Sequence, residues 1–114
     1  MRPSLFLIAL LLAACAQGAK KDLPYVKQAR SAAAEWALVN DQAAKGKLSD
    51  AYVTTMRSAA RDELTTARES LSAQASEQAR IVDELLAMPE DAAPAELRAQ
   101  AHALKQIEDG LESD

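Results

Sequence analysis

Apolar and small side chains recur every three or four residues along most of the chain, the spacing of one face of an α-helix. Two short segments rich in turn-forming residues divide this pattern into three stripes. The first stripe consists of Tyr25, Ala29, Ala32, Trp36, Val39 and Ala43. The second stripe runs from Tyr52 to Leu86, and the third from Leu97 to Leu111. The pattern therefore predicts an all-α fold.

Local signals predict the limits of the first helix at 23–45. Asp22 offers a capping oxygen, and Pro24 follows in the first turn, where its missing N–H costs nothing. At the other end, Gly46 tolerates the left-handed backbone that commonly follows a helix. Ser49 is a good N-cap for the next helix.

The second predicted helix is unusually long, at 50–88, because no glycine or proline interrupts it before Pro89. At 1.5 Å per residue, it would extend for about 60 Å. Serine and threonine between 65 and 76 mark its weakest part, where a bend would allow a compact bundle of three or four helices. A proline-bracketed connection then precedes a third predicted helix at 95–110.

The lengths of these elements suggest an architecture. The two shorter helices together nearly equal the central one, and short connections make each its antiparallel neighbour. We therefore expect three helices, with a long central helix carrying the two shorter ones. Many of the apolar positions are alanine, so the core is thin and self-association is plausible.

The amino terminus has the layout of a secretory signal peptide. Arg2 is followed by an apolar run from Leu5 to Leu12 and then by small residues. The run is shorter than the roughly 20 residues needed to span a bilayer. It is also apolar on all sides, which disfavours the alternative that it forms the first core helix.

The end of this leader, Leu12-Ala13-Ala14-Cys15, resembles the lipobox of bacterial lipoproteins at all four positions. The resemblance implies a diacylglyceryl group on the Cys15 sulfur, cleavage before Cys15, and acylation of the new amino group, for example with palmitate. It covers only the leader, and we assign the following domain to no family. The implied organisation is a signal peptide at 1–14, the lipidated cysteine and a tether at 15–22, and one helical domain at 23–114.

The residue after the cysteine bears on localisation. In enterobacterial lipoproteins, an aspartate there signals retention in the inner membrane, whereas this chain has Ala16. The resemblance therefore implies the cell envelope, with the lipid anchor in the periplasmic face of the outer membrane. Several acyl chains together hold a protein firmly on a membrane.

Charge and residue usage argue against several functions. The chain has 13 basic and 17 acidic residues, a net charge of −4, and no basic face, so we do not expect nucleic-acid binding. His102 is the only histidine, and no metal-ligand spacing or glycine-rich phosphate loop occurs. We therefore expect no metal site, no cofactor beyond the covalent lipid, and no enzymatic activity.

The remaining prediction concerns partners. Trp36 is the only tryptophan. A single tryptophan on an apolar stripe is more often a core residue, whereas an exposed Trp36 would be a possible partner-binding residue. We predict a non-catalytic interaction or structural module whose partner is an unknown envelope protein or another copy of the chain. The alternative is a small-ligand or lipid-binding protein, with a pocket lined by Trp36, Met56 and Leu64.

Overall fold

A computed structural model describes residues 20–113 of the chain. The predicted signal peptide, lipobox and lipid-attachment residue Cys15 lie outside these residues. Four helices are present in the described part: α1 (Leu23–Ala44), α2 (Asp50–Ser70), α3 (Glu77–Ala87) and α4 (Pro94–Ser113). No strand occurs between residues 20 and 113, so the all-α prediction is confirmed for them, but the prediction of three helices is wrong.

Long-range contacts define the directions of the helices. Arg61 of α2 donates to the carbonyl oxygens of Leu86 and Met88 at the end of α3, and Arg68 pairs with Asp83 further back along α3. Later residues of α2 thus contact earlier residues of α3, so these two helices are antiparallel.

The last helix is antiparallel to the first. Lys27 near the start of α1 pairs with Glu112 near the end of α4, at 2.9 Å. Asp41 near the end of α1 lies 3.8 Å from Arg98 near the start of α4. The four helices therefore form an up-down-up-down bundle.

The long central helix predicted for 50–88 is the first error. The backbone leaves the helical conformation at Leu71, where ψ is 128°, and a connection at 71–76 precedes α3. Ser76 caps α3 by accepting a hydrogen bond from the Ala79 amide at 3.2 Å. The break is held by a residue about fifty positions away, Asp22, to which Ser72 and Ala73 donate.

The docking of the last helix is the second error. We expected it to pack on the far half of the central helix, but the most extensive helix–helix interface in the described residues joins α1 and α4. The physical reason is the break, because reversal of the chain at 71–76 turns α3 back and returns α4 alongside α1. The fully buried Leu97 and Leu104 of α4 belong to the same core cluster as the alanines of α1.

The core contains large side chains from all four helices. Those that are less than 2% exposed include Trp36, Leu64, Ile81, Leu85, Leu97 and Leu104. Much of the remaining buried surface comes from alanine, as the sequence predicts. Small side chains let neighbouring helices approach closely and interdigitate with larger ones.

The turn between α1 and α2 follows the predicted local chemistry. Gly46 has a φ of 69°, and its amide donates to the Ala43 carbonyl at 3.0 Å, while Lys47 donates to Gln42 at 3.0 Å. This is a Schellman termination, which glycine favours because it has no Cβ. The Ser49 hydroxyl accepts from the Tyr52 amide at 3.2 Å and caps α2.

The predicted cap of the first helix is only partly correct. Asp22 occupies the N-cap position of α1, but its side chain makes no capping hydrogen bond. Its backbone carbonyl accepts from Tyr25 and Val26, while its carboxylate turns to the connection between α2 and α3.

Candidate functional site

Trp36 lies in the core rather than on the surface of the described bundle. Its side chain is 0% exposed, and its indole Nε1 donates to the Glu90 carbonyl at 2.9 Å. The tryptophan therefore packs the interior while its polar atom holds the connection between α3 and α4. Leu64, which we grouped with it as a pocket residue, is also 0% exposed in the closed core.

Asn40, one turn after Trp36, is a second anchor for the same connection. It is 4% exposed, and its Nδ2 donates to the Glu90 and Ala92 carbonyls at 3.0 and 2.9 Å. Its Oδ1 accepts from the Arg57 guanidinium at 2.8 Å. One amide thus links α1, α2 and the 88–93 connection, where the Glu90 carbonyl accepts from both Asn40 and Trp36.

We use the name Asp22 clasp for Asp22 together with its partners Ser72, Ala73 and Gln78. The carboxylate is 0% exposed. Oδ1 accepts from the amide and the hydroxyl of Ser72, both at 2.7 Å, and Oδ2 accepts from the Ala73 amide at 3.1 Å and Gln78 Nε2 at 3.4 Å. The clasp joins the start of α1 to the break between α2 and α3.

The ionisation of Asp22 follows from two opposing effects. Burial by itself raises the pKa of a carboxyl group, because it removes water from the charged form. The hydrogen bonds from Ser72 and Ala73 outweigh burial and hold the pKa of Asp22 below its ordinary value. The clasp is thus built around a carboxylate rather than a carboxylic acid.

A second buried carboxylate, Glu108, joins α1 and α4. It is 2% exposed; Arg30 Nε lies 2.6 Å from its Oε1, and Lys105 Nζ lies 3.0 Å from its Oε2. Burial would raise the pKa of Glu108, but the hydrogen bonds from Arg30 and Lys105 outweigh it and lower the pKa. Loss of Arg30 would leave the buried Glu108 with Lys105 as its remaining cationic partner, so the ion pair across α1 and α4 favours their packing.

Glu108, Asp109 and Glu112 place three carboxylate oxygens within 4.8 Å of one another. Each carboxylate also contacts a cation of the bundle: Glu108 contacts Arg30 and Lys105, Asp109 contacts Lys105, and Glu112 contacts Lys27. The hydrogen bonds to Glu108 and Asp109 raise the pKa of Lys105. The cluster is therefore an ion-pair network across the interface of α1 and α4.

An open cleft of about 390 Å³ lies beside α3, away from the predicted pocket residues. It is lined by Gln74, Ala75, Ser76, Arg80, Asp83, Glu84 and Ala87. Its charged side chains pair within the protein, with Arg80 2.6 Å from Glu84 and Arg68 2.7 Å from Asp83. The lining contains neither Trp36, Met56 nor Leu64.

His102 is exposed on α4, where its ring Nε2 lies 3.3 Å from Gln106 Nε2.

The large apolar side chains with the greatest exposure in the described bundle are Leu38, at 57%, and Tyr52, at 48%. Both lie toward the end of the bundle that carries the turn between α1 and α2. Among the helices of residues 20–113, none combines the length and the apolar character required to cross a membrane.

Sequence reasoning missed the structural roles of Asn40 and Glu108, although a signal was present for both. Asn40 follows Trp36 by four residues and Glu108 follows Leu104 by four, so each polar side chain lies on an otherwise apolar stripe. A buried polar residue needs partners, which makes such an interruption informative. No comparable signal links Asp22 to residues 72 and 73.

Comparison with known proteins gives no further assignment: no family model, curated protein or solved structure matches this chain.

Proposed function

We propose that this chain is a lipid-anchored helical protein of the bacterial cell envelope that acts as a non-catalytic interaction or structural module. The observation that carries the proposal is the sequence Leu12-Ala13-Ala14-Cys15 at the end of a signal-peptide-like leader. We place the anchor in the periplasmic face of the outer membrane because Ala16, rather than aspartate, follows the cysteine.

The position of α1 in the bundle supports this arrangement. Only six residues separate Cys15 from Asp22, and the seven-residue segment from Ala16 to Asp22 reaches about 25 Å when extended. The end of the bundle that carries the Asp22 clasp would therefore face the lipid headgroups. Lys20 and Lys21 are exposed at this end, where each would contribute about 1 kcal/mol of attraction to an anionic surface.

The opposite end of the bundle would face away from the membrane. α1 has 22 residues, so the turn after it stands about 33 Å beyond the clasp. Leu38 and Tyr52 are exposed toward this end, and we propose them, in place of the buried Trp36, as contact residues for a partner. The partner is an envelope protein or a second copy of the chain.

The anchor is tested by Cys15→Ser beside Gln17→Ser, a matched control outside the lipobox. We expect the wild type and the control to gain the mass of the lipid and to sediment with the outer membrane. Cys15→Ser should gain no lipid and remain unprocessed. If Cys15→Ser is cleaved at the same place and fractionates like the wild type, the lipid anchor is excluded.

The placement in the outer membrane is tested separately by Ala16→Asp. By the enterobacterial sorting rule, this variant should move from the outer to the inner membrane fraction with an unchanged lipid mass. An unchanged distribution would argue against the sorting, though not against the anchor itself.

The interaction role is tested with a photo-crosslinking amino acid at position 38 or 52 in intact cells. We expect discrete crosslinked products, and none from the control position Ser58, which is exposed in the middle of α2. Equal crosslinking at all three positions would show that these side chains have no specific partner.

A further inference from the structure

We propose that residues 71–76 form a hinge through which two copies of this chain exchange α3 and α4, and that the Asp22 clasp holds the hinge closed in the single copy. In the exchanged form, α2 and α3 join into one continuous helix, and the pair lies along the membrane surface with both anchors near its middle. The α4 helix then packs on α1 of the other copy. The inference rests on the proposed interaction function and names a second copy of the chain as a partner, held through α1 and α4 rather than through Leu38 and Tyr52.

The hinge lacks the residues that commonly interrupt a helix. The segment Leu71 to Ser76 contains neither glycine nor proline, although it interrupts a helical stretch. The apolar spacing continues through it at four-residue steps, from Leu71 to Ala75 to Ala79. No helix-breaking residue forces the interruption, and the local Ser76 cap and the long-range contacts of Asp22 hold it together.

The clasp competes directly with helix formation in the hinge. In a continuous helix, the amides of Ser72 and Ala73 would donate to carbonyls four residues earlier. In the bundle, both amides instead donate to the carboxylate of Asp22. The same two donors cannot serve both arrangements, so the clasp decides between a broken and a straight hinge.

Straightening the hinge would expose the surfaces through which α1 and α4 pack together. The interface of α1 and α4 is the most extensive in the described bundle, and it carries the ion pair between the half-buried Arg30 and the buried Glu108. A single copy with a straight hinge would move α4 away from α1 and separate Glu108 from Arg30, leaving Glu108 with only Lys105 of its own helix. A second copy supplies the same surfaces in a two-fold arrangement, so the exchanged pair needs no new type of contact.

The first experiment releases the clasp in the full-length chain, purified in detergent. Asp22→Ala should raise the association constant of the dimer by roughly 100-fold per hinge, about 10⁴-fold for the pair, because it removes hydrogen bonds to a charged group from the closed form alone. The control Glu35→Ala changes an exposed carboxylate on α1 and should leave the constant unchanged. Adding Ala75→Gly to Asp22→Ala should lower the constant roughly 25-fold, at about fivefold per hinge, because glycine disfavours the straight helix.

The second experiment identifies the contact that is exchanged. Within a single copy, Arg30→Glu brings two carboxylates together across the interface of α1 and α4, and Glu108→Arg brings two guanidinium groups together. Two differently tagged chains, one of each variant, restore both ion pairs only between copies. Co-expressed, they should co-purify in equal amounts. Two differently tagged Arg30→Glu chains should not co-purify. A single chain that carries both substitutions should stay monomeric, because the ion pair between its own α1 and α4 is restored.

These outcomes decide the inference even if Asp22→Ala fails to fold, which circular dichroism would show. Failure of the mixed charge variants to co-purify overturns the exchange, and so does equal co-purification of the matched Arg30→Glu chains. A folded Asp22→Ala variant that stays as monomeric as the wild type overturns the role of the clasp. None of these measurements depends on lipid at Cys15, so failure of the hinge and failure of the anchor are distinguishable.

Discussion

The connections at 45–49 and at 71–76 both reverse the chain, but they are stabilised in different ways. The first contains a glycine with positive φ and a serine cap, and its hydrogen bonds join residues close in sequence. The second has a serine cap, but its backbone amides at 72 and 73 donate to Asp22, about fifty residues earlier. The first turn is stabilised by residues close in sequence, whereas the second break also depends on a contact that forms only in the folded bundle.

This difference predicts how the two connections respond to mutation. Removing a local signal should weaken the bundle while leaving its topology unchanged, because the neighbouring helices still pack. Removing the clasp should affect both stability and topology, because the continuous helix competes with the broken one. The following predictions test that contrast.

We expect the largest effect from Asp22→Ala. Loss of several hydrogen bonds to a buried carboxylate should lower the free energy of unfolding by about 3 kcal/mol. Urea unfolding at low protein concentration, followed by circular dichroism, measures this change. The exposed control Glu35→Ala should stay within about 0.5 kcal/mol of the wild type. An equal loss of unfolding free energy in the two variants would show that the clasp does not stabilise the fold.

Gly46→Ala should cost less, about 1–2 kcal/mol, because alanine is strained at positive φ. No atom lies within 4 Å of the added Cβ, so a steric clash contributes nothing to this cost. Gly110→Ala is the matched control: it also adds a Cβ in open space, but inside α4. It should stabilise by about 0.5–1 kcal/mol. Thermal unfolding measures both variants. Changes of the same sign in their melting temperatures would contradict the explanation from backbone conformation.

Ser49→Ala should cost about 1 kcal/mol through loss of the cap on α2. Ser58→Ala, at an exposed position within the same helix, should be neutral or slightly stabilising, since alanine is the better helix former. Neither variant should change the oligomeric state measured by analytical ultracentrifugation. A dimer formed by Ser49→Ala would show that the first turn, too, controls topology.

The smallest effect we expect is a difference in acid sensitivity. Since the pKa of Asp22 is lowered in the folded chain, its contribution is complete above its ordinary value of 3.8 and is lost as the pH falls below that value. Asp22→Asn removes this titration but leaves that of Glu108. Urea unfolding between pH 6 and pH 3 should therefore show a shallower loss of stability in Asp22→Asn than in the wild type. Parallel profiles would contradict the lowered pKa.

The candidate site was predictable only in part. The anchor residue Cys15 is a sequence prediction that lies outside the described structure. A core position was already the favoured interpretation of Trp36 on its apolar stripe, but the hydrogen bond of its indole to the 88–93 connection became evident only in the tertiary structure. Its exposed counterparts, Leu38 and Tyr52, could not be chosen beforehand, because exposure depends on which helix faces are covered.

The sequence by itself determined the helical class, the limits of α1 and the turn after it, because periodicity, caps and glycine act over a few residues. It also placed a proline-bracketed connection before the last helix, which begins at Pro94 rather than 95 and continues to Ser113 rather than 110. Only the tertiary structure decided the break at 71–76 and the docking of α4 on α1. The physical reason is that a carboxylate about fifty residues away outcompetes the local preference for a continuous helix.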